Sequence, residues 1–211
     1  SDFAAPRRKD LACDLGAGCG TLGVLLCARD PSCTVAGIEL RPEACRAAQE
    51  NVRINGLEER LTVLEGDVRR IRTLLPAGDF FCVIANPPYF PVGSGKAGRN
   101  SAVARTEQCL TLAELCAAAA WLLPPGGRFA LVHRAERLCD LLCALRAAGL
   151  EPKRVQPVRH NAESPVSLLL LEARRGGRPG LTLLPELLEY ETDGTEREAL
   201  RAARHAKGDC S

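Results

Sequence analysis

Aromatic side chains are scarce in this 211-residue chain, at 4% of the total, so each one carries more information than usual. Lysine is rare beside arginine: lysines stand at only four positions, 9, 96, 153 and 207, among 28 basic residues. Histidine occurs three times and no Cys-x-x-Cys pair exists, so the eleven cysteines lack the spacing of a zinc site. Their odd number, in a chain that is 46% hydrophobic, also argues against an extracellular disulfide scaffold. Many lie inside apolar runs, where a free thiol behaves as a small hydrophobe. No apolar run reaches the length of a membrane span. The opening SDFAAPRRKD has charge but no apolar segment like that of a signal peptide. These absences point to a reducing compartment, with the cytoplasm as the default location, and to neither membrane nor metal as a partner. The net charge of +2 neither announces nor excludes a nucleic-acid ligand.

Strand-like and helix-like segments alternate along most of the chain. DLACDL (10–15), CTVAGIEL (33–40), LTVLEGD (61–67), FFCVIAN (80–86) and RFALVH (128–133) read as strands. TLGVLLCARD, RPEACRAAQENVRINGL and RAERLCDLLCALRAAGL read as helices, and a further helix is expected over 105–122 from the spacing of Leu110, Leu112, Leu115, Cys116, Ala119 and Leu122. Alternation of this kind predicts an α/β fold with a mainly parallel sheet. The fourth and fifth strands are continuous apolar runs, as strands buried on both faces are. PKRVQPVRH and SPVSLLLLEAR follow with no helix between them, which predicts an antiparallel pair at one edge. The chain is read as a single domain with a core over 10–173 and an extension over 181–211. That extension is either a short strand with a docked helix or a partly disordered end.

Two stretches carry chemistry. DLGAGCG places Gly16, Gly18 and Gly20 directly after the first strand, where glycine permits positive φ and close approach of a ligand. The helix that follows offers unpaired N–H groups. Glu39 ends the second strand, where its carboxylate can accept both hydroxyls of a ribose, and Asp67 follows the third. Together they predict a nucleoside-containing cofactor across the carboxyl ends of the strands. The second stretch is NPPYF, at the end of strand four. Pro87 and Pro88 fix two φ angles and remove two N–H groups, which leaves carbonyls free to face a ligand. A planar amino group can donate one hydrogen to the Asn86 amide oxygen and the other to the Pro87 carbonyl while Tyr89 stacks on its ring. Its nitrogen then faces whatever lies over the glycine turn.

DLGAGCG, Glu39, EGD and NPPY in this order resemble the class I methyltransferases that use S-adenosyl-L-methionine, and the Asn-Pro-Pro-Tyr tetrad resembles their amino-methylating members. Within these, NPPYF, ARTE (104–107), LLPPGGRFALVHRAERL (122–138) and the terminal EYETDGT are similar to the bacterial enzymes that methylate N6 of adenine 37 in valine tRNA. The resemblance implies a Rossmann-like fold with a mostly parallel seven-stranded sheet and an antiparallel edge strand. It implies Asn86, Pro87, Pro88 and Tyr89 as catalytic residues, and Asp14, Gly16, Gly18, Gly20, Glu39, Asp67 and Asn86 as the cofactor site. The implied partner is RNA, a tRNA. The base would be turned outward to meet Tyr89 and Phe90, with Lys96, Arg99 and Arg105, in or beside the long 90–104 segment, on its phosphates. Arg134, Arg137, Lys153, Arg154 and Arg159 are further candidate phosphate contacts. The family carries a segment ahead of strand one that covers cofactor and base. This chain reaches strand one by about residue 10, so that cover is expected to be missing. Other readings are a glutamine-amide methyltransferase acting on a protein, another rRNA or DNA adenine methyltransferase, and a domain that binds cofactor or RNA without catalysis.

Overall fold

The apolar runs read as strands assemble into one sheet. A computed structural model describes residues 3, 4, 11–87, 110–190 and 195. The strands are β1 (Leu11–Leu15), β2 (Thr34–Glu39), β3 (Leu61–Glu65), β4 (Cys82–Ala85), β5 (Arg128–Arg134), β6 (Leu150–Arg159) and β7 (Val166–Arg175), with two-residue strands β8 (Thr182–Leu183) and β9 (Leu187–Leu188). The helices are α1 (Thr21–Arg29), α2 (Pro42–Ile54), α3 (Ile71–Leu74), α4 (Leu112–Leu122) and α5 (Leu138–Ala147). The strand order is β3-β2-β1-β4-β5-β7-β6-β8, with β9 also paired to β6. The first five strands run parallel.

Both faces of the interior strands β1, β4 and β5 are buried, which is why their sequences do not alternate, whereas the edge strand β3 alternates buried and exposed residues. Cys13, Leu15, Val83, Ala85, Phe129 and Leu131 pack on one side with Leu115, Leu122, Leu141 and Leu145 of α4 and α5. Ala12, Cys82, Ile84 and Ala130 pack on the other with Leu26 of α1 and Cys45, Ala48 and Val52 of α2. Six of the free cysteines, Cys13, Cys27, Cys33, Cys45, Cys82 and Cys116, are buried, consistent with their use as small hydrophobes.

Three details depart from the sequence reading. The helix expected over 105–122 starts at Leu112. Thr111 caps it: its hydroxyl oxygen accepts from the Glu114 N–H at 3.2 Å, and the Glu114 carboxylate accepts from the Thr111 N–H at 2.8 Å. Leu110 therefore precedes the helix, and residues 105–109 lie outside the described set. β6 and β7 form the expected antiparallel pair toward one side of the sheet, but β7, the strand that runs against the rest, lies between β5 and β6 instead of at the edge. The extension adds β8 and β9, both parallel to β6, so the described residues form a sheet of nine strands instead of seven. The helix considered for the tail falls beyond Tyr190, outside the described residues apart from Thr195.

Candidate active site

The parallel register brings the chemistry-bearing residues of four strands to one edge. Leu15 lies opposite both Ile38 and Ala85, so the turn after β1, the end of β2 and Asn86 after β4 sit at one level. Glu39 pairs with Glu65, which places Asp67 at the next strand end. Across the edge the order is Asp67, Glu39, the glycine turn and Asn86.

The turn is held by its backbone. The Gly16 and Ala17 N–H groups both donate to the Ile38 carbonyl at 2.9 Å, and Asn51 of α2 donates to the Cys19 carbonyl at 2.9 Å. Gly16, Gly18 and Gly20 have φ of 78°, 57° and 80°, a region costly for any side chain with a Cβ. Above Gly16 and Gly18 a Cβ would meet nothing within 4 Å, so the turn keeps an open cradle. At Gly20 a Cβ would come 3.2 Å from that of Ala48, so the third glycine serves the passage of α1 over α2.

Three carboxylates surround the cradle in three different states. Asp14 is 1% exposed, and neither of its carboxylate oxygens has a hydrogen-bond partner among the described residues. Burial, and secondarily the charge of Glu39, push its pKa from 3.8 up to about 7. Glu39 is also buried but partnered: Oε2 accepts from the Gly18 N–H at 2.8 Å, and Oε1 from the Arg41 N–H at 3.0 Å and its Nε at 3.2 Å. Asp67 caps the short 3-10 turn Val68–Arg70 by accepting from the Arg69 N–H at 2.9 Å, and the Arg69 guanidinium forks onto both its oxygens. Hydrogen bonding from Arg69 holds the Asp67 carboxyl below its usual range.

Of the sequence-derived site residues, Asp14, Gly16, Gly18, Gly20, Glu39, Asp67, Asn86 and Pro87 converge on this edge. Asn86 is exposed and Pro87 half-buried. Pro88, Tyr89, Phe90, Lys96, Arg99 and Arg105 lie outside the described residues. The second set of basic residues has partners within the chain: Arg134 with Glu136 at 3.1 Å, Arg137 with Asp140 at 2.7 Å, Arg154 with Glu172 at 2.7 Å, and Arg159 with Glu186 at 3.1 Å. Lys153 donates to the Arg178 carbonyl at 3.0 Å. His133 is buried at the end of β5, and burial lowers its pKa, as suits a packing residue. The sequence reading missed Arg41 and Arg69. The signal was present: each follows its acid by two residues, as Glu-Leu-Arg and Asp-Val-Arg.

The donor set fits a nucleoside cofactor with a cationic portion. It offers an open glycine cradle, a buried acid without a partner, and an acid at each of the next two strand ends. Among the described residues no group of three or more His, Cys, Asp or Glu side chains could hold a metal ion.

Comparison with known proteins bears on this edge. The model of the methyltransferase small domain family matches residues 2–142. The tRNA1(Val) (adenine(37)-N6)-methyltransferase of Porphyromonas gingivalis is 31% identical over 163 residues, which is 76% of this chain but only 64% of the relative. The protein of the same description from Tolumonas auensis is 31% identical over 188 residues, or 89% of this chain and 71% of the relative. A solved structure described as a predicted O-methyltransferase, Atu636 from Agrobacterium tumefaciens, superposes with a TM-score of 0.77 at 22% identity, covering 96% of this chain and 92% of that one. At that identity the superposition speaks for the fold, a Rossmann-like class I arrangement with a mixed, mostly parallel sheet. The chain thus belongs to the methyltransferase small domain family, whose fold takes S-adenosylmethionine as cofactor.

Proposed function

We propose that this chain transfers a methyl group from S-adenosylmethionine to the exocyclic N6 amino group of an adenine in RNA, adenine 37 of a tRNA anticodon loop. The observation that carries the reading is the place of Asn86. It follows β4 level with the glycine turn that follows β1, and Pro-Pro-Tyr comes directly after it. The names of the relatives support the substrate, and the tetrad supports the nitrogen chemistry.

The roles follow from the groups. Gly16 and Gly18 leave room for the cofactor, Asp14 faces its cationic portion, Glu39 takes its ribose hydroxyls and Asp67 its adenine. S-adenosylmethionine supplies, when bound, a methyl group on a positive sulfonium leaving group. The target amine is a weak nucleophile because its lone pair is shared with the ring. Asn86 accepts one of its hydrogens and the Pro87 carbonyl the other, which favours a more tetrahedral nitrogen with its lone pair available. Tyr89 holds the ring. Alignment does the rest, and no general base is needed, because the proton leaves once the nitrogen has become positive.

The test is a methyl-transfer assay with labelled S-adenosylmethionine, run in parallel on an unmodified tRNA transcript, rRNA fragments and a peptide-release factor. The reading expects label in the tRNA. Label in the release factor would move the assignment to a glutamine amide, and label in none of them would refute catalysis by this chain.

A further inference from the structure

We propose that Arg41 and Arg69 set the affinity of the nucleoside site by competing with the ligand for Glu39 and Asp67. The inference rests on the cofactor reading of this edge and concerns how these residues regulate it.

The argument is a count of acceptor sites. An ionised carboxylate offers about four lone-pair positions. Asp67 has these positions engaged by three N–H donors, because the one Nε hydrogen is shared: Oδ1 accepts from the Arg69 N–H at 2.9 Å, Nε divides its hydrogen between Oδ1 and Oδ2 at 3.0 Å each, and Oδ2 accepts from Nη2 at 2.6 Å. An adenine amino group arriving at Asp67 therefore takes one of the two positions that Nε shares and loosens the fork. The Arg69 backbone N–H is fixed by the turn that Asp67 caps, so the guanidinium is the group that yields. At Glu39 the Gly18 N–H, the Arg41 N–H and Arg41 Nε are already donors. A ribose diol brings two more, and about one position is left. Again the backbone donors are built into the fold, and the Arg41 side chain is the one that can leave.

Both arginines can do so. Their side chains are 40% and 42% exposed, against 6% and 19% for the acids they hold. A guanidinium that swings away regains water, so the exchange costs the modest energy of a half-exposed ion pair. Each arginine sits two residues beyond its acid, just past the ends of the adjacent strands β2 and β3. In the absence of ligand the arginines keep the two acids oriented and neutralised, at the expense of affinity.

The test uses adenosine, which carries the ribose diol and the amino group but no net charge, with methionine as the second probe. Isothermal calorimetry is run on the wild type and on Arg41→Ala, Arg69→Ala and the double variant. Arg69→Ala should tighten adenosine binding about threefold and Arg41→Ala about twofold, the range that such pairs command. Methionine binding should not change, and neither should adenosine binding in Arg53→Ala, whose exposed pair with Glu50 lies on α2. About 0.5 M salt should narrow the gap between wild type and variants, because it screens the competing pairs. Unchanged or weaker adenosine binding in both single variants would overturn the proposal. Equal tightening of methionine would overturn it too, by pointing to a general structural effect. If neither the wild type nor the double variant binds adenosine or S-adenosylhomocysteine, the cofactor reading itself fails and takes the proposal with it.

Discussion

Asp14 and Glu172 are both carboxylates buried within the sheet, at 1% and 3% exposure, yet their surroundings are opposite. Glu172 on β7 is held by Arg154 at 2.7 Å, with Arg174 and Arg128 at 3.8 and 3.9 Å. Arg154 is itself anchored, donating to the Phe3 carbonyl at 2.9 Å and lying over the Phe3 ring. Asp14 on β1 has no hydrogen-bond partner among the described residues and faces the negative Glu39. A buried charge without compensation is costly. The fold matches its buried charge at β5–β7–β6 and leaves one unmatched beside the glycine turn. The first region is closed and structural. The second is where the proposed cofactor would bring the missing charge.

The largest effect expected from this contrast is at the closed region. Glu172→Ala leaves Arg154 without its short ion pair and should cost roughly 3–5 kcal/mol in urea unfolding at pH 7. A loss below about 1 kcal/mol would mean that solvent replaces the pairs and that this region is not closed. At the open region, Asn86→Ala should cut methyl transfer on the order of 100-fold, the scale of losing one oriented hydrogen bond at the reacting group. Its thermal unfolding should change little beside this loss, because Asn86 is exposed at a strand end. Full retained activity would remove Asn86 from the catalytic role.

The third effect is smaller and depends on pH. The Asp14 carboxyl has its pKa raised to about 7 in the folded chain, against an ordinary value of 3.8. Between those values the native state holds a proton that the unfolded chain has lost. Stability therefore falls as pH rises through this window and levels off above it. Asp14→Asn removes that dependence. It should stabilise the ligand-free protein by on the order of 1–3 kcal/mol at pH 8 and have little effect near pH 4. Thermal melts at the two pH values check this, and the same gain at both would show that charge is not the cause.

The contrast was partly legible in the sequence. β1, β4 and β5 announce themselves as apolar runs and β2 and β3 by their place between helical segments, so all five were readable with small errors at their ends. The glycine turn, Glu39, Asp67 and Asn86 were found because each stands at the carboxyl end of such a run. The start of α4 was misplaced because Leu110 continued the apolar spacing, although Thr-Leu-Ala-Glu at 111–114 spells a capping box. A short strand was one reading of the extension, but the places of β8 and β9 could not be read, because a two-residue strand is dictated by the free edge of β6 more than by its own residues. Arg41 and Arg69 were passed over because an exposed arginine after a strand is usually a solvated charge. What gives them a role is the hydrogen-bond count on their neighbours, which only coordinates supply.

The central claim is that this open edge methylates an adenine amino group under the direction of Asn86. The most direct measurement is nucleoside and fragment mass spectrometry of an unmodified valine tRNA transcript incubated with S-adenosylmethionine and either wild-type or Asn86→Ala protein. The account predicts N6-methyladenosine at position 37 with the wild type and its near absence with the variant. Methylation at another atom or position, or equal N6-methyladenosine from both proteins, would contradict it.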